Sequence, residues 1–345
     1  MSVAPSDGMK LTEIVCTAWL SKSISVAARL GLADLLRDGP CSYEELAQST
    51  RCHAPSMLRL LRLLTSVGIF QPEGGDRFSN SPISEFLRTD HAQSVRHFCI
   101  LAGEEYYDAW GELLHTVTTG ASAFSAALGT PVYEYLGHHP DTARVYDRAM
   151  EELCRPVANL LVREISFAGV SRMVDVGGGN GALARALLTH VEGLTCTVVE
   201  RRDVCEHAPR DDGEVGARLR FEAGDFFSSL PVGADIYLLK NVLHNWNERN
   251  CVRILASVRQ AMVSPETALR KPRLVILEPL IDSRETSTKK LMNALFQLVV
   301  CESGTRDRST QEMRTMLQRS SFAVLAIRSL ETGHSLIEAM PVSES

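Results

Sequence analysis

The stretch Met173–Gly181, MVDVGGGNG, constrains the fold more than any other part of the chain. Met173, Val174 and Val176 are apolar and β-favouring, as a buried strand requires. Gly177, Gly178 and Gly179 follow, and without side chains the backbone can turn sharply there. Beyond Asn180 and Gly181, the run ALARALL combines helix propensity with apolar residues on one face. Strand, glycine turn and helix open a nucleotide-type α/β site whose ligand is expected beyond the carboxyl end of the strand. Gly177, Gly179 and Ala182 also satisfy G-x-G-x-x-A, so this turn alone leaves a dinucleotide open.

From Ser171 onwards β-rich segments alternate with helical ones, which predicts a parallel sheet with helices on both faces. The strands expected after the first are LTCTVVE ending at Glu200, LRFEAGD ending at Asp225, ADIYLLK ending near Lys240, and PRLVILE ending at Glu278. FAVLAIRSL and HSLIEAM follow, where an antiparallel edge is expected. Glu200, Asp225, Lys240 and Glu278 therefore close four apolar strands, and in an open α/β sheet such ends share one rim.

Each of these residues suits a part of an adenosine-containing ligand. Glu200 lies ~20 residues past the glycine turn, where a carboxylate accepts from ribose hydroxyls. Asp225 can accept from the adenine amino group, with Phe226 against the ring. Lys240 can pair with a ligand carboxylate, which S-adenosylmethionine has and NAD lacks. His244, in KNVLHNWNERN, directly follows the fourth strand and precedes a helix expected to start around Asn247. An ordinary imidazole is largely neutral at pH 7 and can act as a base. Glu278 at the next strand end can orient the ring and stabilise its protonated form.

The N-terminal part reads differently. Leu11–Leu36 is helical in pattern, and Ser42 with Glu45 forms a capping box ahead of SYEELAQS. A second helix, PSMLRLLRLLTSVG, and a β-wing at GDRFSNSP follow. Helix-turn-helix with a wing also serves DNA binding, but residues 1–110 hold ten Lys and Arg against thirteen Asp and Glu. That balance is a poor footprint for phosphate contacts and favours a dimerisation module. Residues 91–167 read as mostly helical, with a loop near Thr118–Pro131. Trp110, Tyr146 and Met150, with Tyr106 and Tyr107, are candidates for a substrate pocket, although aromatics at helical spacing equally suit a core.

The net charge of -6 gives no reason to expect nucleic acid or an anionic membrane as partner. No apolar run approaches the ~20 residues of a membrane span. Residues 1–10 lack the basic-then-apolar pattern of a signal peptide. The nine cysteines show no C-x-x-C and no zinc spacing, so reduced thiols in a cytoplasmic, metal-free protein are expected.

Taken together, LGLADLL, SVGIF, YLGHHPDTARVYDRAM, VDVGGGNG, GDFFSSLPVGADIYLLKNVLHNWNE, LVILEPL and HSLIEAM resemble the class I S-adenosylmethionine-dependent O-methyltransferases of the caffeic acid and bacterial natural-product type. The pieces span nearly the whole chain in that family's order, and residues 94–150 also resemble enzymes that methylate phenazines. The resemblance implies a winged-helix dimerisation domain (1–105), helices contributing to the substrate pocket (106–167) and a Rossmann-like methyltransferase domain (168–345). It implies a homodimer acting on a small aromatic acceptor and releasing S-adenosylhomocysteine. By position it assigns Gly177, Gly179, Glu200, Asp225, Phe226, Lys240, Trp246 and Cys154 to the cofactor, Met150 to the acceptor ring, His244 to the base, and Glu278 and Asp307 to its flanking acids.

Three departures stand out. The usual His-Asp-Trp is His244-Asn245-Trp246, Cys154 replaces a serine that meets the cofactor carboxylate, and Ser303-Gly304 replaces a glycine pair. Transfer to nitrogen or carbon of a related aromatic, or a non-methylating reaction such as hydroxylation, decarboxylation or cyclisation on the same scaffold, remains open at this point.

Overall fold

A computed structural model describes residues 6–209, 213–282 and 286–342. Residues 1–5, within the stretch expected to carry no signal peptide, lie outside them. The chain divides into two compact units, residues 1–108 with 139–153, and residues 109–138 with 154–345.

In the first unit a helix spans Asp7–Leu30, capped by the Ser6 side chain, and ends where Gly31 turns left-handed with φ 66°. Gly31 punctuates the helical pattern of Leu11–Leu36 as expected, and the pattern resumes as Leu32–Leu35. Strand β1 (Cys41–Ser42) leads into the helix Tyr43–Thr50 through the expected Ser42/Glu45 capping box. The helix Ala54–Ser66 follows, then β2 (Phe70–Pro72) and β3 (Arg77–Asn80), which form the wing in the order β1-β3-β2. Leu32, Leu46, Leu61, Leu64 and Phe70 are buried at its centre.

Buried Glu152, on the long helix Pro140–Glu164, binds the start of the helix Arg96–Gly103. Its carboxylate accepts from the backbone N–H of His97 at 3.2 Å and of Phe98 at 3.1 Å, and bonds His97 Nδ1 at 2.8 Å. An anion at a helix N-terminus meets unpaired N–H groups and the positive end of the dipole.

The second unit is built on a seven-stranded sheet. Its strands are β4 (Arg172–Val176), β5 (Thr195–Glu200), β6 (Leu219–Ala223), β7 (Ile236–Lys240), β8 (Arg273–Glu278), β9 (Phe322–Ser329) and β10 (Ser335–Pro341), in the order β6-β5-β4-β7-β8-β10-β9. The first five pair in parallel, and β10 is antiparallel to both β8 and β9. The antiparallel edge expected of FAVLAIRSL and HSLIEAM is thus present. Within it β10 is internal, and β9 is the outermost strand.

Alternate residues face opposite sides of the sheet. Val174, Val176, Tyr237, Leu239 and Ile276 pack under the helices Glu248–Val263 and Thr310–Arg319. Met173, Val198, Ile236, Leu238 and Leu277 pack under Ala182–His190 and the end of the long helix.

The intermediate segment 106–167 is divided between the two units rather than standing apart. Residues 139–153 are tied to the first by Glu152 and by Thr142 Oγ1 to Glu105 at 2.7 Å. Residues 109–138 are tied to the second by Ser122, which bonds Ser303 Oγ and the Val299 carbonyl, each at 3.1 Å. The loop expected near Thr118–Pro131 contains the short helix Ala123–Leu128, held by buried Phe124. Among the described residues no helix is long and apolar enough to cross a membrane.

Candidate active site

The glycine turn at the end of β4 is shaped by close approach. A side chain on Gly178 would place its Cβ 2.5 Å from Asp175 Oδ2, so only glycine lets the turn close over that carboxyl. Gly177 and Gly179 take left-handed φ of 68° and 57°, and among the described residues, its chain neighbours aside, nothing lies within 4 Å of where a Cβ on Gly179 would stand. The turn is therefore a cradle open at Gly179. Glu200, at the end of β5, reaches it and accepts the Gly179 N–H at 3.3 Å and the Arg201 N–H at 2.9 Å. Burial pushes the Glu200 carboxyl above its ordinary range, against the pull of those donors and the Arg201 charge. Beneath the turn Asp175 is buried with Oδ2 unpartnered, and burial pushes its carboxyl up to about 7 against the pull of Lys240.

Lys240 closes β7, and its Nζ lies 3.2 Å from Cys154 Sγ. The two residues assigned to one cofactor carboxylate therefore adjoin. Asn241 follows with φ 56°, a left-handed conformation that asparagine tolerates better than most residues. A 3-10 turn, Leu243–Asn245, then carries His244.

Glu278, at the end of β8, holds this turn with both carboxylate oxygens. Oε2 bonds His244 Nδ1 at 2.8 Å, and Oε1 accepts the Leu243 N–H at 2.7 Å. An ionised carboxylate only accepts, so Nδ1 carries the proton and Nε2 is left with its lone pair. Burial raises the Glu278 carboxyl, but the His244 ring, the Leu243 N–H and the Arg308 charge outweigh it and hold Glu278 below its ordinary value.

Arg308 fixes the opposite side of the turn. Its guanidinium, 5% exposed, donates to the carbonyls of Leu243 at 3.1 Å and Trp246 at 3.0 Å. Asn245 is held at both ends of its amide, with Nδ2 donating to the Asn241 carbonyl at 3.0 Å and Oδ1 accepting from Cys301 Sγ at 3.2 Å.

An aromatic wall stands beside these groups. Trp246 stacks on Tyr133 with centroids 5.9 Å apart, and meets Phe226 at 6.2 Å and Phe227 at 4.8 Å edge-on. Asp225 is exposed just past the end of β6, and its Oδ1 accepts the Phe227 N–H at 3.1 Å, which orients the loop carrying both phenylalanines.

The structure thus gathers Gly177, Gly179, Glu200, Phe226, Lys240, Trp246, Cys154, His244 and Glu278 in one unit, with Asp225 at the margin. Asp307, expected as a flanking acid, has its carboxyl raised by partial burial against the pull of the Arg308 charge. It is exposed and makes no hydrogen bond to the imidazole, whereas the adjacent Arg308 is turned inward. Trp110 is half-buried in the second unit, whereas Tyr146 and Met150 lie on the part of the long helix that belongs to the first. Sequence reasoning missed Arg308, Tyr133 and His334. His334 sits at the mouth of β10 and bonds Asn241 Oδ1 through Nε2 at 3.0 Å. Arg308 carries one signal in the sequence, its place within GTRDRS beside Asp307.

A parallel sheet with this strand order, an internal antiparallel strand and a glycine cradle at the switch point defines a class I methyltransferase. The O-methyltransferase domain family matches residues 110–323 and the O-methyltransferase dimerisation domain matches residues 12–90. The chain belongs to this O-methyltransferase family. Phenazine O-methyltransferase PhzM of Lysobacter antibioticus is 32% identical over 96% of this chain and 96% of its own length. The crystal structure of LaPhzM superimposes with a TM-score of 0.91 at 31% identity, covering 98% of this chain and all of its own. The neocarzinostatin O-methyltransferase NcsB1, solved with S-adenosylmethionine and 2-hydroxy-5-methyl naphthoic acid, gives 0.79 at 29% identity, covering 94% and 96%. The protein is accordingly an S-adenosylmethionine-dependent O-methyltransferase.

Proposed function

We propose that this enzyme methylates a hydroxyl of a small aromatic secondary metabolite, with His244 as general base. The observation that carries this reading is the Glu278 carboxylate, which bonds Nδ1 of the ring and leaves Nε2 as the free acceptor. When bound, S-adenosylmethionine supplies an electrophilic methyl group on a sulfonium.

The residues present fit that donor. The cradle is open at Gly179, the half-buried Glu200 carboxylate suits ribose hydroxyls, and Phe226 and Trp246 suit the adenine side. Asp225 would take the adenine amino group, and Lys240 with Cys154 the methionyl carboxylate. Met150, Tyr146 and Trp110 are assigned to the acceptor. No residue set in this reading calls for a metal.

A phenol with pKa near 10 gives up its proton to an ordinary imidazole uphill by ~3.5 units, roughly 5 kcal/mol. His244 lowers that cost by taking the proton as the oxygen attacks, and Glu278 favours the imidazolium that forms. The matched dimerisation domain supports a homodimer through the N-terminal unit, and the net charge of -6 argues against nucleic acid or an anionic membrane as partner; the cytoplasm is the compartment proposed. Replacing His244 by Ala or Gln is the test. Turnover should fall by ~10²-fold or more while donor affinity measured by calorimetry stays within ~3-fold. Near-full turnover would remove the base, and a methylamine or C-methyl product would move the acceptor atom.

A further inference from the structure

We propose that the acceptor is an acidified hydroxyl, one made more acidic than a simple phenol by its ring or by a neighbouring carbonyl. The inference deepens the reading above and rests on His244 as its base. What carries it is the set of groups around the imidazole.

Among the described residues, the single carboxylate bonded to the ring is that of Glu278. Against it stands a buried cation. Arg308 donates to the carbonyls on either side of the His244-Asn245 pair, and its charge acts on Glu278 itself. Asn245, the neighbour of the base, is a neutral amide with both ends already engaged, so it adds no charge. Around these stand two thiols, a second histidine and further charged side chains. Cys301 and Cys251 are thiols pushed up to about 12 by burial. His334 is held neutral down to about 4, by burial first and by the Lys240 charge next. Glu302 is occupied at the start of the helix Glu248–Val263, accepting from Asn247 N at 2.9 Å and Asn250 Nδ2 at 2.8 Å. Lys240 adds positive charge at the end of β7, Asp175 lies beneath the glycine turn, and Asp307 is exposed.

An imidazolium on His244 therefore gains one carboxylate whose field a buried guanidinium partly cancels. In a low-dielectric interior that cancellation counts for more than it would in water. In the transfer the hydroxyl proton passes to Nε2, the oxygen lone pair forms the O–C bond, and the C–S pair stays on sulfur. The imidazolium then returns its proton to water. A base so placed works best when the O–H bond gives up its proton easily.

The test uses the full-length enzyme with saturating donor and four probes in descending acidity: 4-nitrophenol, 4-cyanophenol, phenol and 4-methoxyphenol. Methyl ethers are counted by mass spectrometry. Turnover per unit concentration should be at least ~10-fold higher on the two acidic members than on phenol. In Asn245→Asp, which places a second carboxylate beside the base, that gap should shrink by ~3-fold or more. Turnover of the acidic members no faster than phenol overturns the inference, as does a gap unchanged in Asn245→Asp. His244→Gln separates the two possible failures. Undiminished methylation of phenol by that variant defeats the base itself. Loss of phenol methylation, with no acidity preference in the wild type, defeats this inference alone.

Discussion

The Nδ1 atom of His244 lies 2.8 Å from Oε2 of Glu278, while Oε1 of that carboxylate takes the Leu243 N–H at 2.7 Å. One buried side chain thus sets the tautomer of the ring and anchors the backbone that presents it.

Glu278→Gln should uncouple these two tasks. A carboxamide has one accepting oxygen, so either the Leu243 N–H or the ring loses its acceptor, and an amide N–H facing Nδ1 selects the wrong tautomer. Turnover should drop by about 10²-fold or more with the melting temperature shifted by only a few degrees. Steady-state kinetics beside a thermal melt read both, and unchanged turnover would show that the carboxylate is dispensable.

Lys240 and Cys154 should separate in their effects. Lys240→Met removes the cation from the donor side of the site, and donor affinity should fall ~10-fold or more, the worth of one charge-assisted hydrogen bond. Cys154→Ser keeps a small polar partner 3.2 Å from Nζ and should stay within ~3-fold. Titration calorimetry with S-adenosylhomocysteine measures both variants.

Gly181 is held left-handed at φ 76°, and an added Cβ would stand 2.7 Å from Phe221 Cζ. Gly181→Ala should cost ~2–4 kcal/mol from the combined backbone strain and overpacking. Urea unfolding would show this as a lower midpoint with an unaltered slope.

Stability should depend on pH through His334, whose imidazole is depressed to about 4 by burial first and by Lys240 next. Between the unfolded value near 6.5 and the folded one, the unfolded chain binds a proton that the folded chain refuses. The His334 contribution is therefore complete above about pH 6.5 and drains away as pH falls towards 4, by roughly 3 kcal/mol in all. Melting temperatures from pH 7 to 4 should fall less steeply in His334→Gln than in the wild type. Parallel curves would place the acid sensitivity elsewhere.

The rim of the sheet was readable because each apolar strand stops at a charged residue, so Glu200, Lys240 and Glu278 announce their own positions. The capping box at Ser42 and Glu45 was equally local, since both partners lie within one turn. Arg308 was not, because the carbonyls it satisfies lie 62 and 65 positions away and no spacing rule links them. Asp307 and Arg308 are neighbours in an extended loop and differ in burial, a difference that the sequence GTRDRS does not encode. Tyr133 was hidden for a similar reason. It lies just beyond a stretch read as loop, and its ring stack with Trp246 is a tertiary contact. The place of β10 between β8 and β9 was also beyond pattern reading, since alternation identifies a strand and not its neighbours.

That placement of β10 has a bearing on how the polypeptide assembles during synthesis. Ser335–Pro341 leaves the ribosome after Phe322–Ser329, yet it is the strand that joins Phe322–Ser329 to the rest of the sheet. Until it emerges, the nascent β8 presents an unsatisfied row of amides and carbonyls next to Glu278, and that row is open to mispairing with another chain. The acid that orients the base therefore sits on the last seam to be sewn shut.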